Sequence, residues 1–126
     1  MNEATGSSAN RGLAFSAAVE AATAVALIAD PALVARLLLG SDLTDTGRAV
    51  GRCFGIALVG LALACWPGRQ GSTAALRGMF AYNVLICLDL VYLGTAAHMH
   101  GALLWPAALL HGTVAVWLIA AARRGP

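Results

Sequence analysis

The feature that most constrains this chain is a set of four apolar runs, each close to the roughly 20 residues a helix needs to cross the hydrocarbon core of a bilayer. They fall at Leu13 to Ala29, Arg48 to Trp66, Ala74 to Leu93 and Ala102 to Ala122, and Asp30-Pro31, Gly40, Pro67-Gly68, Gly94 and Gly101 punctuate the joins. Without water to satisfy an open backbone, such runs are viable only as helices or as a closed barrel. The expected fold is therefore an all-α membrane protein, a four-helix transmembrane bundle. Its composition agrees, with 60% hydrophobic residues, 11% charged residues and a mean hydropathy of +0.77, more apolar surface than a small soluble core hides.

A single four-span domain is expected over 13–122. Residues 1–12, "MNEATGSSANRG", read as a polar disordered tail, and 123–126 as a short basic one. A signal peptide is the competing reading of the first run, opposed by Glu20 in what would be its apolar region. Between the first two runs, "DPALVARLLLG" offers Asp30 as N-cap, Pro31 at the first helical position and Gly40 as C-cap around Leu33, Val34, Leu37 and Leu38. This predicts a short interfacial helix; the alternative is an extension of the first span.

All cations are arginines, and the net charge of +2 does not suggest nucleic acid as a partner. Charge here is a topology signal. With both termini cytoplasmic, Arg11, Arg69, Arg77, Arg123 and Arg124 lie inside and Arg36, Arg48 and Arg52 outside, as the positive-inside rule prefers. The bilayer is the expected partner, with a homo-oligomer or larger membrane complex alongside it. The repeat of Gly47, Gly51 and Gly55 marks a close-packing face and the first oligomer interface to examine.

Ionisable groups at membrane depth are costly and usually face partners. Glu20, Arg52, Asn83, Asp89 and His111 qualify, and Tyr82 shares a stripe with Asp89 seven residues on. These six are the candidate ligand- or proton-binding residues. Ser16, Glu20, Thr23 and Ala24 share one face of the first helix, which should look inward. Matching depths suggest two groupings. One pairs Arg52 with Asp89 or Glu20, the alternative being that Arg52 snorkels to the headgroups. The other gathers Glu20 and His111 near the mid-plane, with Asn83 or Tyr82.

His98, Met99 and His100 are weak metal candidates, since imidazole and thioether suit copper. No other residue near them in sequence completes a site, and no cofactor is expected. Cys53, Cys65 and Cys87 form no CxxC. They read as small buried hydrophobes, with Cys53 and Cys87 at similar depth and a pairing between them left open.

The Asp30-Pro31 step, Arg52-x-x-Gly55, Tyr82-Asn83 and Leu103-Leu104-Trp105-Pro106-Ala107 before His111 resemble uncharacterised bacterial four-helix membrane proteins of the DoxX-like group, over about residues 13 to 122. The resemblance implies four helices and an inner-membrane location, with some members described as partners of redox systems. It carries no catalytic residue. Glu20 is also similar in kind to the membrane-embedded glutamate of the small multidrug resistance exporters, from which Arg52, Asp89 and the helix after Pro31 depart. Expected functions are a non-catalytic accessory subunit or a bundle binding a small lipophilic ligand; a proton-coupled transporter using Glu20; or a quinone- or thiol-linked redox protein.

Overall fold

The computed structural model describes residues 3–68 and 73–123. It contains α1 (Glu3–Ala29), α2 (Pro31–Leu39), α3 (Asp45–Ala64), α4 (Thr73–Thr95) and α5 (Leu104–Arg123). All but α2 are long and apolar enough to cross a membrane. The chain is a multi-pass membrane protein built as a four-helix bundle, and its surface says the same. Val25, Leu63, Leu85, Leu109 and Val116 are each at least 65% exposed, an outward apolar face that lipid, not water, accommodates.

α1 is the central helix, packed against each of the other four; α3 lies chiefly against α1 and α4 chiefly against α5. The face of α1 expected to look inward does so, with Ser16, Glu20 and Ala24 essentially fully buried. α3 approaches α1 through Gly55, where an added Cβ would lie 3.0 Å from the Ala24 carbonyl oxygen and from Leu27. Gly51 does the same toward Pro31, at 2.8 Å. Gly55 and Gly51 are thus taken up within the bundle by α1 and α2, whereas Gly47 meets only Leu43 and Thr44 just before α3. The spacing marks close approach but does not name the neighbour.

The chain breaks at Asp30, whose carboxylate accepts from Leu33 N at 3.0 Å, with Pro31 opening α2 and Gly40 closing it at φ 71°. Glycine suits this left-handed position because it has no Cβ to clash there. The α4–α5 connection locks onto α2. Leu103 N donates to Leu37 O at 2.8 Å, and a Cβ on Gly101 would fall 2.2 Å from the Leu38 carbonyl carbon, so only glycine fits. Arg36, exposed on α2, donates to Asp42, and this bond with Asp42's charge raises the guanidinium pKa further.

The amino-terminal stretch departs from expectation. α1 begins at Glu3, so the described part of the supposed tail is helical. Gly12 sits against Leu118 and Trp117, Trp117 Nε1 donates to Ser8 Oγ at 3.4 Å, and Phe15 tilts against the Trp117 ring. These contacts with α5 extend the helix beyond the apolar run that defined the expected span. Arg69 and Arg124, used in the topology argument, lie outside the described residues, as does all of the basic tail but Arg123.

Gly55 and Gly60 separate packing from propensity. Gly55→Ala is expected to destabilise the bundle by about 1 to 3 kcal/mol, because α1 backbone must shift. Gly60 has no atom within 4 Å of its would-be Cβ, so Gly60→Ala should be neutral or stabilising by up to about 1 kcal/mol through helix propensity. Unfolding in mixed micelles distinguishes them; equal effects would contradict the α1–α3 contact.

Candidate functional site

Half-way along the bundle, three helices, α1, α4 and α5, bring their polar side chains into one layer. Asn83 of α4 is buried and orders it. Its amide nitrogen donates to Ser16 Oγ of α1 at 3.0 Å and to the Met79 carbonyl of its own helix at 2.8 Å. Turning the amide over would set oxygen against the Met79 oxygen, so this hydrogen-bond pattern assigns the orientation. Asn83 Oδ1 therefore faces His111 Nδ1 of α5, 2.9 Å away. An amide oxygen only accepts, which makes Nδ1 the donor and leaves Nε2 bare in the neutral ring.

Glu20 of α1 lies beside this chain, 1% exposed. The Tyr82 hydroxyl donates to its Oε2 at 2.8 Å, and the Tyr82 and His111 rings meet edge to face with centroids 5.9 Å apart. Glu20 Oε1 is 3.9 Å from His111 Nδ1, too far for a hydrogen bond, and the Nδ1 proton is already directed to Asn83. Oε1 is consequently buried without a hydrogen-bond partner.

Beside this layer is a cavity of about 480 Å³, lined by residues of all five helices. Glu20, Tyr82 and His111 line one part; Ala26, Val34, Leu37, Leu38, Leu93 and Leu103 line the part next to α2. Along α4 the lining runs from Tyr82 to Leu93, eleven residues or about 16 Å of helix rise. The result is an elongated, mainly apolar, partly open cavity with buried Glu20 and half-buried Tyr82 and His111 at one end. Thr23, whose hydroxyl donates to Val19 O at 3.0 Å, and Asp89 lie between.

Glu20, Tyr82, Asn83 and His111 thus come together, and Asp89 joins Glu20, Tyr82 and His111 on the cavity wall. Arg52 does not. It is exposed, and among the described residues it has no ion pair with Asp89 or Glu20. The buried face of α3 runs through Gly55, Leu58 and Ala62; Arg52 stands off that face, and α4 packs mainly on α5. The pairing reading gives way to an arginine on the bundle's outer surface. Two contributors escaped the sequence: α2, whose apolar stripe also walls the cavity, and Phe54 of α3. The α2 stripe itself was a visible signal, but nothing in it distinguishes a cavity wall from an interfacial face.

All three cysteines are free, Cys53 exposed and Cys65 buried, so Cys53 and Cys87 do not pair in this structure. His98 and His100 are exposed in the α4–α5 connection, with His98 at φ 54°. Among the described residues no three His, Cys, Asp or Glu side chains gather as a metal site. Comparison with family models, curated proteins and solved structures returns no match.

Removing the Asn83 amide takes away the partner of Ser16 Oγ and of His111 Nδ1, while the Met79 carbonyl loses only its second donor and keeps its helical N–H. Intramembrane hydrogen bonds average about 0.6 kcal/mol, so Asn83→Ala should cost about 1 to 2 kcal/mol of bundle stability. Asn83→Asp, unable to donate to Met79 O when ionised, should also destabilise. Denaturation of the reconstituted protein measures both; a loss near zero for Asn83→Ala would contradict the layer.

Proposed function

We propose that this chain is a non-catalytic protein of the bacterial inner membrane whose bundle binds a small lipophilic ligand, either alone or as an accessory subunit of a larger membrane complex. The DoxX-like resemblance and the arginine distribution support that location, with both termini cytoplasmic. One observation carries the reading: an elongated cavity of about 480 Å³, walled mainly by apolar side chains, with Glu20, Tyr82 and His111 at one end. Its volume and lining match those of small-molecule sites, where apolar walls supply burial and a few polar groups fix orientation. A solid scaffold would instead have filled this space with side chains.

Proton-coupled transport is the second reading, favoured by a specific feature. Glu20 is a buried carboxyl beside both a tyrosine hydroxyl and a histidine ring, a set through which a proton can be exchanged. A Glu20→Gln variant that retained full proton-linked flux in vesicles would dismiss it. The thiol-linked redox reading draws no comparable support, because its two candidate cysteines are both free thiols.

Ligand retention tests the main proposal. Ala107 lines the cavity from α5, and Ala107→Phe places a ring in it. Protein purified in mild detergent should carry a hydrophobic small molecule detectable by native mass spectrometry, and Ala107→Phe, at unchanged unfolding temperature, should lose most of it. Equal retention by both proteins, or none by either, would contradict the proposal.

A further inference from the structure

The donors and acceptors around the cavity are unequally occupied. Three lining side chains carry a donor by nature: Thr23, Tyr82 and His111. Each is already engaged, Thr23 with Val19 O, Tyr82 with Glu20 and His111 Nδ1 with Asn83. What is left over accepts. Glu20 Oε1 is buried without a hydrogen-bond partner, His111 Nε2 is bare once Nδ1 carries the proton, and Asp89 brings a second carboxyl. No arginine lines the cavity, and the chain has no lysine.

A guest here must therefore bring its own donors, and it enters a site with two carboxyls and no compensating cation. A carboxylate or phosphate headgroup would find nothing to donate to it and two acids to repel it. A neutral hydroxyl would satisfy one acceptor and leave the charge imbalance in place. An ammonium group supplies several N–H donors and the missing positive charge together, and a charge-assisted bond to a carboxylate in a water-poor site is stronger than a neutral one. The apolar length toward α2 accommodates the remainder of such a molecule.

We infer that the ligand of this cavity is a lipophilic amine, bound as its ammonium ion with Glu20 as the principal acceptor. The inference rests on the lipophilic-ligand reading and names the chemistry of its polar end. Glu20 is the binding residue, the Tyr82 hydroxyl positions it, His111 Nε2 offers a further acceptor, and Asp89 contributes charge from farther along the wall.

Three compounds of one shape isolate the head group: 1-aminoadamantane, 1-adamantanol and 1-adamantanecarboxylate. Their binding to the full chain in nanodiscs is measured by equilibrium dialysis, with empty nanodiscs subtracting partition into lipid. The amine should bind about tenfold or more tighter than the alcohol, the difference expected for a hydrogen bond to a charged group, and the carboxylate should not saturate. Glu20→Gln keeps an oxygen for the Tyr82 hydroxyl, and it should bring the amine to within about threefold of the alcohol when both are measured on that variant. Asp89→Asn, at an exposed position, should weaken the amine by a smaller factor. Should Glu20→Gln fail to fold, the wild-type series and Asp89→Asn still decide the matter. Equal binding of amine and alcohol, preference for the carboxylate, no saturable amine binding, or an amine advantage undiminished in a folded Glu20→Gln protein overturns the inference. Native retention of a lipophilic molecule in the Ala107 comparison is independent of head group, so it holds or fails separately.

Discussion

The bundle depends on a single amide whose orientation is not free. Asn83 cannot turn over without setting its oxygen against the Met79 carbonyl, and from that constraint the rest of the polar layer follows. Ser16 receives one of its protons, and His111 must give one to its oxygen. Three long helices are thereby joined at one level. In lipid there is little hydrophobic force between helices, so such bonds and close packing hold them together.

That layer also determines the character of the cavity. Because the His111 proton is taken by Asn83, it cannot serve Glu20, and the Tyr82 hydroxyl satisfies only one of the two carboxyl oxygens. An unmet acceptor is left beside a cavity that, apart from Thr23, Tyr82, Asp89 and His111, is otherwise walled by leucine, valine, isoleucine, phenylalanine and alanine. α2 completes the chamber because Gly101 and Gly51 let two other segments approach its backbone and its first proline. Structure and chemistry meet at this point. The contacts that close the bundle leave one interior group without a partner.

Much of this was legible in the sequence, for identifiable reasons. The spans follow from apolar length, and α2 follows from a cap residue, a proline and a terminal glycine in the order a short helix requires. The inward face of α1 follows from 3.6-residue periodicity acting on Ser16, Glu20 and Ala24. Depth along each span put Glu20, Asn83 and His111 at one level, which the layer reproduces. The same reasoning failed for Arg52 and Asp89. Depth is one coordinate, whereas contact needs the direction each side chain faces and the order of helices around the bundle. Neither is written in a single helix's pattern, and α3 settles on α1 through Gly55 while α4 settles on α5. The stretch before Leu13 illustrates a different limit: its small polar residues have no strong preference of their own, and tertiary contact with Trp117 and Leu118 decides for helix.

The most direct test of the central claim is the protonation pattern of the His111 ring, read by solid-state nitrogen NMR of the ring-labelled protein in lipid at neutral pH. The account predicts a neutral imidazole with its proton on Nδ1 and a bare Nε2, coupled through the hydrogen bond to the Asn83 side chain and distinct from exposed His98 and His100. A proton on Nε2 alone, or a ring indistinguishable from those two, would contradict the layer on which the cavity and its proposed ligand depend.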